Sequence, residues 1–159
     1  MSVASVAELY AHAIAIEREA AERYAEFAKH MLDQGNGEVG LLFGWLAAVE
    51  GAHLDTLRRR TDGVEIPVLE SHEYHWLDAG APETAARELV FRLMTPHQAL
   101  AIALAAEKRA RAFFEHVHRT ADDPGLRALA QEMAMEESEH VAMLERLLAR
   151  TPEPLLDQA

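Results

Sequence analysis

The sequence contains no cysteine. That excludes disulfides, thiolate metal sites, cysteine nucleophiles and any Cys₄ iron centre carried by the chain itself. Basic residues are also scarce: 15 Lys and Arg stand against 27 Asp and Glu, for a formal net charge of −12. A nucleic-acid partner needs a basic face, so that class is set aside. Aromatic residues make up only 6% of the chain. β-Branched runs are absent, and the dominant Ala, Leu, Glu and Arg favour helix. No apolar stretch reaches the ~18 residues of a membrane span. The first residues lack a basic flank followed by an apolar segment, so no signal peptide and no membrane are expected, and the expected location is the cytoplasm.

What remains is a chain of 159 residues, half of them hydrophobic. This length suits one domain over residues 1–159, with a core large enough to stand without staples. Four amphipathic segments can be read from apolar residues at spacings of three and four. The first begins at Ser5 with Glu8 as a capping box and follows Val6, Tyr10, Ile14, Ala21, Tyr24, Ala28 and Met31. Gly35-Asn36-Gly37 ends it. The second follows Phe43, Leu46, Leu54 and Leu57 and stops near Thr61-Asp62-Gly63. The third opens on Thr95-Pro96-His97-Gln98, with Thr95 as N-cap, Pro96 in the first turn and Gln98 closing the box. It follows Leu100, Leu104, Ala110, Phe114 and Val117. Asp122-Asp123-Pro124-Gly125 breaks the chain, and the fourth follows Leu126, Ala130, Met133, Val141, Leu144 and Leu148. Residues 62–95 carry breakers at Ile66-Pro67 and Gly80-Ala81-Pro82. They read as one long crossover holding a short helix from about Glu83 to Leu93. The expected fold is an all-α, ferritin-like four-helix bundle of two helical hairpins joined by that crossover.

Each apolar stripe is interrupted near its middle. The intruders are Glu17, then Glu50 and His53, then Glu107, then Glu137 and His140. A Glu-x-x-His pair shares one helix face. Glu17 lies about 19 residues before the first turn and Glu50 and His53 about 14–17 after it, levels within roughly one turn at ~1.5 Å per residue. Glu107, about 15 residues before the second turn, matches Glu137 and His140, about 15–18 after it. All six therefore reach one mid-bundle layer. The halves also repeat: the offsets are 90 (17 to 107), 87 (50 to 137) and 87 (53 to 140) residues.

Four carboxylates cannot stay ionised together in a core, because each costs several kcal/mol to desolvate. They protonate, or divalent cations balance them. Two such cations neutralise four charges, and two neutral imidazoles complete the coordination. Glu136 competes with Glu137 for the fourth-helix ligand, and Glu137 is preferred because it repeats the helix-2 spacing. Tyr24 reads equally as a hydrogen-bond donor to a metal-bound carboxylate or as a core aromatic. A third pair, Glu115 and His118, has no partners at its level and reads as a solvated face. His72 and His75, near Glu70 and Glu73, read as part of a solvated or docked crossover. His12, His30, His97 and His116 carry no signal, and Arg58-Arg59-Arg60 suits a helix C-terminus.

These segments together resemble the rubrerythrin family of ferritin-like proteins: Ile16 through Tyr24, Glu50-Gly51-Ala52-His53, Ala106-Glu107 through Phe114, and Glu136 through His140. The resemblance implies a carboxylate-bridged centre of two iron ions, with Glu50 and Glu137 as bridging ligands and Glu17, Glu107, His53 and His140 as terminal ones. It also implies reduction of hydrogen peroxide or dioxygen, supplied by an external electron donor. Zinc or manganese are the other expected occupants, and a homodimer is the expected assembly. An iron-oxidising or iron-storing protein and a bundle with a purely structural metal are the alternatives. The sequence departs from the family in two ways. It has no Cys₄ rubredoxin domain, and Ala110 stands where rubrerythrins usually carry a further Glu.

Overall fold

The computed structural model describes residues 3–69 and 92–153. Four helices account for most of them: α1 (Val6–Asp33), α2 (Gly37–Arg60), α3 (Pro96–Thr120) and α4 (Pro124–Ala149). No strand occurs among the described residues. None of these helices is long and apolar enough to cross a membrane.

Local chemistry sets each boundary. Ser5 caps α1 by accepting the Glu8 N–H at 3.1 Å. The Glu8 carboxylate accepts the N–H of Ala4 at 3.0 Å, one residue before the position of a regular capping box. At the other end Gly35 takes a φ of +80°. The Asn36 N–H then reaches Met31 O at 2.8 Å and the Gly35 N–H reaches Leu32 O at 3.1 Å, the paired bonds of a Schellman turn. Asn36 immediately caps α2, so the first hairpin turns in very few residues. Thr95 and Gln98 form the full reciprocal box at the start of α3, at 3.1 and 3.0 Å. Asp123 caps α4 through the Leu126 N–H at 2.8 Å.

The helices pair as expected, α1 with α2 and α3 with α4. The two ends of the connection between the pairs lie at opposite ends of the bundle. It leaves α2 at Arg60, yet Met94, just before α3, accepts the side-chain N–H of Asn36 at 2.6 Å, at the opposite end of α2. That end lies about 36 Å away for a 24-residue helix. The expected helix from Glu83 lies outside the described residues except for Arg92 and Leu93, which are helical. Glu70, His72, Glu73 and His75 also lie outside them.

Two apolar clusters fill the bundle. One gathers Tyr24, Phe27, Met31, Phe43, Leu46, Leu100 and Leu144. The other gathers Leu9, Ile16, Leu57, Phe114, Leu126 and Met133. The inner face of α1 differs from its expected stripe. Leu9, Ala13, Ile16 and Ala20 are buried, while Val6 is exposed and Tyr10 and Ile14 pack on the cluster from its rim. An alanine-rich helix offers several neighbouring apolar faces, and the small side chains allow close packing on the one that also turns Glu17 inward. Phe43 is fully buried, with its ring centroid 5.8 Å from Tyr24 and 5.2 Å from Phe27. Phe43→Ala is expected to destabilise the fold by about 3–5 kcal/mol, read as a lower urea midpoint with an unchanged slope.

Candidate metal centre

The gap between the two clusters is where the charged residues meet. On each helix the inward glutamate is flanked by a member of either cluster. Glu17 stands between Ile16 and Ala20, Glu107 between Ala106 and Ala110, and Glu137 between Ala134 and Leu144. Glu50 stands between Leu46 and Leu57. All four glutamates are buried, none more than 6% exposed. Burial at this depth is rare for a carboxylate without a compensating partner.

The histidines close the layer on its α2–α4 side. The His53 and His140 rings stack with centroids 4.2 Å apart. Their Nε2 atoms lie 3.2 Å from each other, and their Nδ1 atoms turn to the glutamates. His53 Nδ1 is 3.7 Å from Glu50 Oε2. His140 Nδ1 is 3.4 Å from Glu137, 3.5 Å from Glu107 and 4.0 Å from Glu50. Two donor groups result, Glu50 with His53 and His140, and Glu107 with Glu137 and His140. Within each, the candidate ligand atoms lie within 4.8 Å of one another. Glu17 is in neither group, but its carboxyl faces Glu50 and Glu137 from α1.

The electrostatics explain how the fold tolerates this layer. Burial lifts Glu17 well above the usual carboxylate range, and the charges of Glu50 and Glu137 add to it. Burial likewise lifts Glu107 to about 10. Burial also opposes the charge on Glu50, but the proximity of Glu17, His53 and Glu107 and the charge of His140 hold it at about 2. Glu137 is lowered against its burial chiefly by His140. His140 itself rises to about 11, because Glu107 and Glu137 outweigh its burial. At neutral pH the metal-free layer thus holds a protonated Glu107 and a charged His140 beside an ionised Glu50.

Even so, the layer is not satisfied. Glu17 Oε2, Glu137 Oε2, His53 Nδ1 and His140 Nδ1 are buried without a hydrogen-bond partner. These atoms are oxygen and imidazole donors directed at one small volume, a set that suits divalent iron, zinc or manganese. The residues therefore fit a pair of metal ions. Tyr24, fully buried, is raised by burial and by the charges of Glu107, Glu50, Glu137 and Glu17, so it stands close to all four carboxylates and keeps its proton.

The competing candidates fall outside the layer. Glu136 is half exposed and lies 3.9 Å from Arg60, so Glu137 is the inward residue of the pair. Glu115 pairs with Arg111 at 3.8 Å, and His118 Nδ1 contacts Arg127 O at 3.0 Å across the α3–α4 turn, as a solvated face would. His12 is 1% exposed beside Phe113. It lies on the observed inner face, three residues after Leu9 and four before Ile16, a face that the expected stripe through Tyr10 and Ile14 does not follow.

Residues 8–79 match the rubrerythrin family model. Over 96% of its length the chain also matches the crystal structure of an uncharacterized conserved protein from Magnetospirillum magnetotacticum, at 34% identity and a TM-score of 0.75, covering 99% of that chain. The chain belongs to the rubrerythrin family. No curated protein matches it. The family match holds the first-hairpin donors Glu17, Glu50 and His53, and the second hairpin supplies Glu107, Glu137 and His140 in the rubrerythrin-type fold.

A pH dependence follows from the raised groups. The folded, metal-free chain holds protons on Glu107 and His140 that the unfolded chain sheds near 4.5 and 6.5. Stability contributed by such protons falls as pH rises from those values toward about 10 and 11. Chelator-treated protein is expected to melt at steadily lower temperature from pH 6.5 to 9. A flat or rising melting temperature across that range contradicts the protonation pattern.

Proposed function

We propose that this chain is a di-iron oxidoreductase that reduces hydrogen peroxide or dioxygen, with Glu17, Glu50, His53, Glu107, Glu137 and His140 as the metal ligands. The observation that carries this reading is the layer of four buried glutamates and two imidazoles, in which Glu17 Oε2, Glu137 Oε2 and both imidazole Nδ1 atoms lack hydrogen-bond partners. Iron, when bound, supplies reversible one-electron chemistry and, as a pair, the two electrons that cleavage of a peroxide bond requires.

The chain's own residues do the rest. The four carboxylates match the charge of two divalent cations, and the imidazoles add donors without adding charge. Glu17, Glu107 and His140 release their protons to become ligands, so loading is coupled to proton release. Tyr24 keeps its phenolic proton beside the carboxylates and acts as a hydrogen-bond donor that orients them. On the α1–α3 side, a cavity of about 10 Å³ touches Glu17, Glu50 and Glu107 and is walled by Ile16, Ala20, Ala106 and Ala110. It has room for about one water-sized molecule, so on this side only a very small molecule can reach the carboxylates. Ala110 in that wall keeps a seventh donor away. An external electron donor re-reduces the centre, and the protein works as a cytoplasmic homodimer.

The test is anaerobic loading with ferrous iron followed by rapid mixing with peroxide. About two irons per chain, oxidised within the mixing experiment, are expected for the native chain, and neither loading nor turnover for Glu50→Ala or Glu137→Ala. Peroxide turnover that persists in both variants refutes the mechanism. A large iron-filled shell by sedimentation favours storage instead, and a native redox-inactive metal with no iron oxidation favours a structural role.

Tyr24→Phe separates the two roles of that residue. As an orienting donor, its loss lowers metal affinity about tenfold with little change in melting temperature. As core packing alone, affinity stays unchanged.

A further inference from the structure

A second pocket reaches the layer from the α2–α4 side, and it differs in chemistry from the small apolar cavity opposite. Its volume is about 210 Å³. Its inner wall is formed by Glu17, His53 and His140. Glu17, which also borders the cavity opposite, is only 6% exposed. The outer wall is formed by Arg60, Glu136 and Glu139, with Thr56 between the two. Glu136 and Glu139 are exposed.

Arg60 is tied at this mouth from several directions. Its guanidinium binds Glu132 at 2.9 Å and Glu136 at the looser distance of 3.9 Å. It also lies 5.7 Å from the centroid of the Tyr10 ring. Three helices therefore hold one positive charge beside an acidic opening that leads to the imidazoles.

We propose that this pocket is the entry port for divalent cations, with Glu136 and Glu139 as the attracting residues and Arg60 as the guard that sets the rate of entry. The proposal rests on the di-metal reading of the layer. An approaching cation competes with Arg60 for Glu136, the weaker of the two partners, while Glu132 retains the guanidinium. The cation then passes to His53, His140 and Glu17. Such a port acts on the rate of loading through long-range charge, and it leaves the final occupancy unchanged.

The probe is cobalt(II), whose visible absorbance reports coordination without any redox step. Stopped-flow mixing with the metal-free protein at low salt gives the uptake rate, and titration gives the stoichiometry. Glu136→Gln combined with Glu139→Gln is expected to slow uptake about threefold or more, and Arg60→Gln to speed it by a similar factor. Both differences should shrink toward zero at about 1 M salt, where charges are screened within a few ångströms. Thr56→Trp, which narrows the pocket, should slow uptake at every salt concentration. Wild-type rates in the Glu136/Glu139 variant, with full cobalt loading, overturn the port and leave the metal centre standing. A lower final stoichiometry in that variant also overturns it, since the two residues would then be ligands. A native chain that takes up no cobalt removes the metal centre and the port together.

Discussion

Four carboxylates held in one buried layer are the constraint around which the rest of this molecule is arranged. Each is driven toward protonation by desolvation; His140 partly relieves Glu50, Glu107 and Glu137, whereas the neighbours of Glu17 only add to the effect. Such a layer is poor stabilising material: a well-packed apolar layer of the same volume is often neutral or more stable. The fold is therefore carried by the two apolar clusters on either side, and the layer is held in place by them. That division explains why large buried side chains such as Tyr24, Phe43 and Phe114 stand within a few turns of the glutamates. They fix the helices against the tendency of a charged layer to open to water.

The layer also explains the attention given to the turns. A helix rotates by about 100° and rises by about 1.5 Å for each residue. One residue more or less between Asp33 and Gly37 would turn Glu50 and His53 away from Glu17. The Schellman turn at Gly35, followed at once by the Asn36 cap, removes that freedom. Asn36 has a second task, since its side chain also holds Met94 and so sets the height at which α3 begins. One residue thus ties the level of Glu50 to that of Glu107. In the second hairpin, Asp123 and Pro124 do the same for Glu137.

Much of this was legible in the sequence because the relevant signals are local. Caps, breakers and the three-residue Glu-x-x-His spacing depend only on helix geometry, and the 87-residue offsets tie the halves together. The inward choice of Glu137 over Glu136 came from that repeat, and the exposed position of Glu136 agrees with it. The α1 face was less legible. In a helix with alanine at 11, 13, 15, 20 and 21, hydrophobicity alone does not select between adjacent stripes, and packing against α2 and α4 decides. The burial of His12 beside Phe113 escaped for the same reason. Nor could spacing reveal that His140 is shared between two donor groups. That depends on the lateral approach of α2 and α4, a tertiary quantity on which the sequence pattern is silent.

The two sides of the layer differ in chemistry, and the difference suits the two routes proposed for them. On the α1–α3 side the walls are alanine and isoleucine, and the groups exposed to the cavity are carboxylates alone. A small neutral molecule meets little desolvation penalty there, whereas a hydrated cation would have to shed its water against methyl groups. On the α2–α4 side the walls carry imidazoles, carboxylates and one guanidinium, and the space is some twenty times larger, about 210 against 10 Å³. A cation can exchange water for these donors stepwise on that path. The asymmetry arises from the same helical repeat that builds the centre. Each Glu-x-x-His pair sits on α2 or α4 and each lone glutamate on α1 or α3, so both imidazoles fall on one side and the alanines that flank the lone glutamates fall on the other.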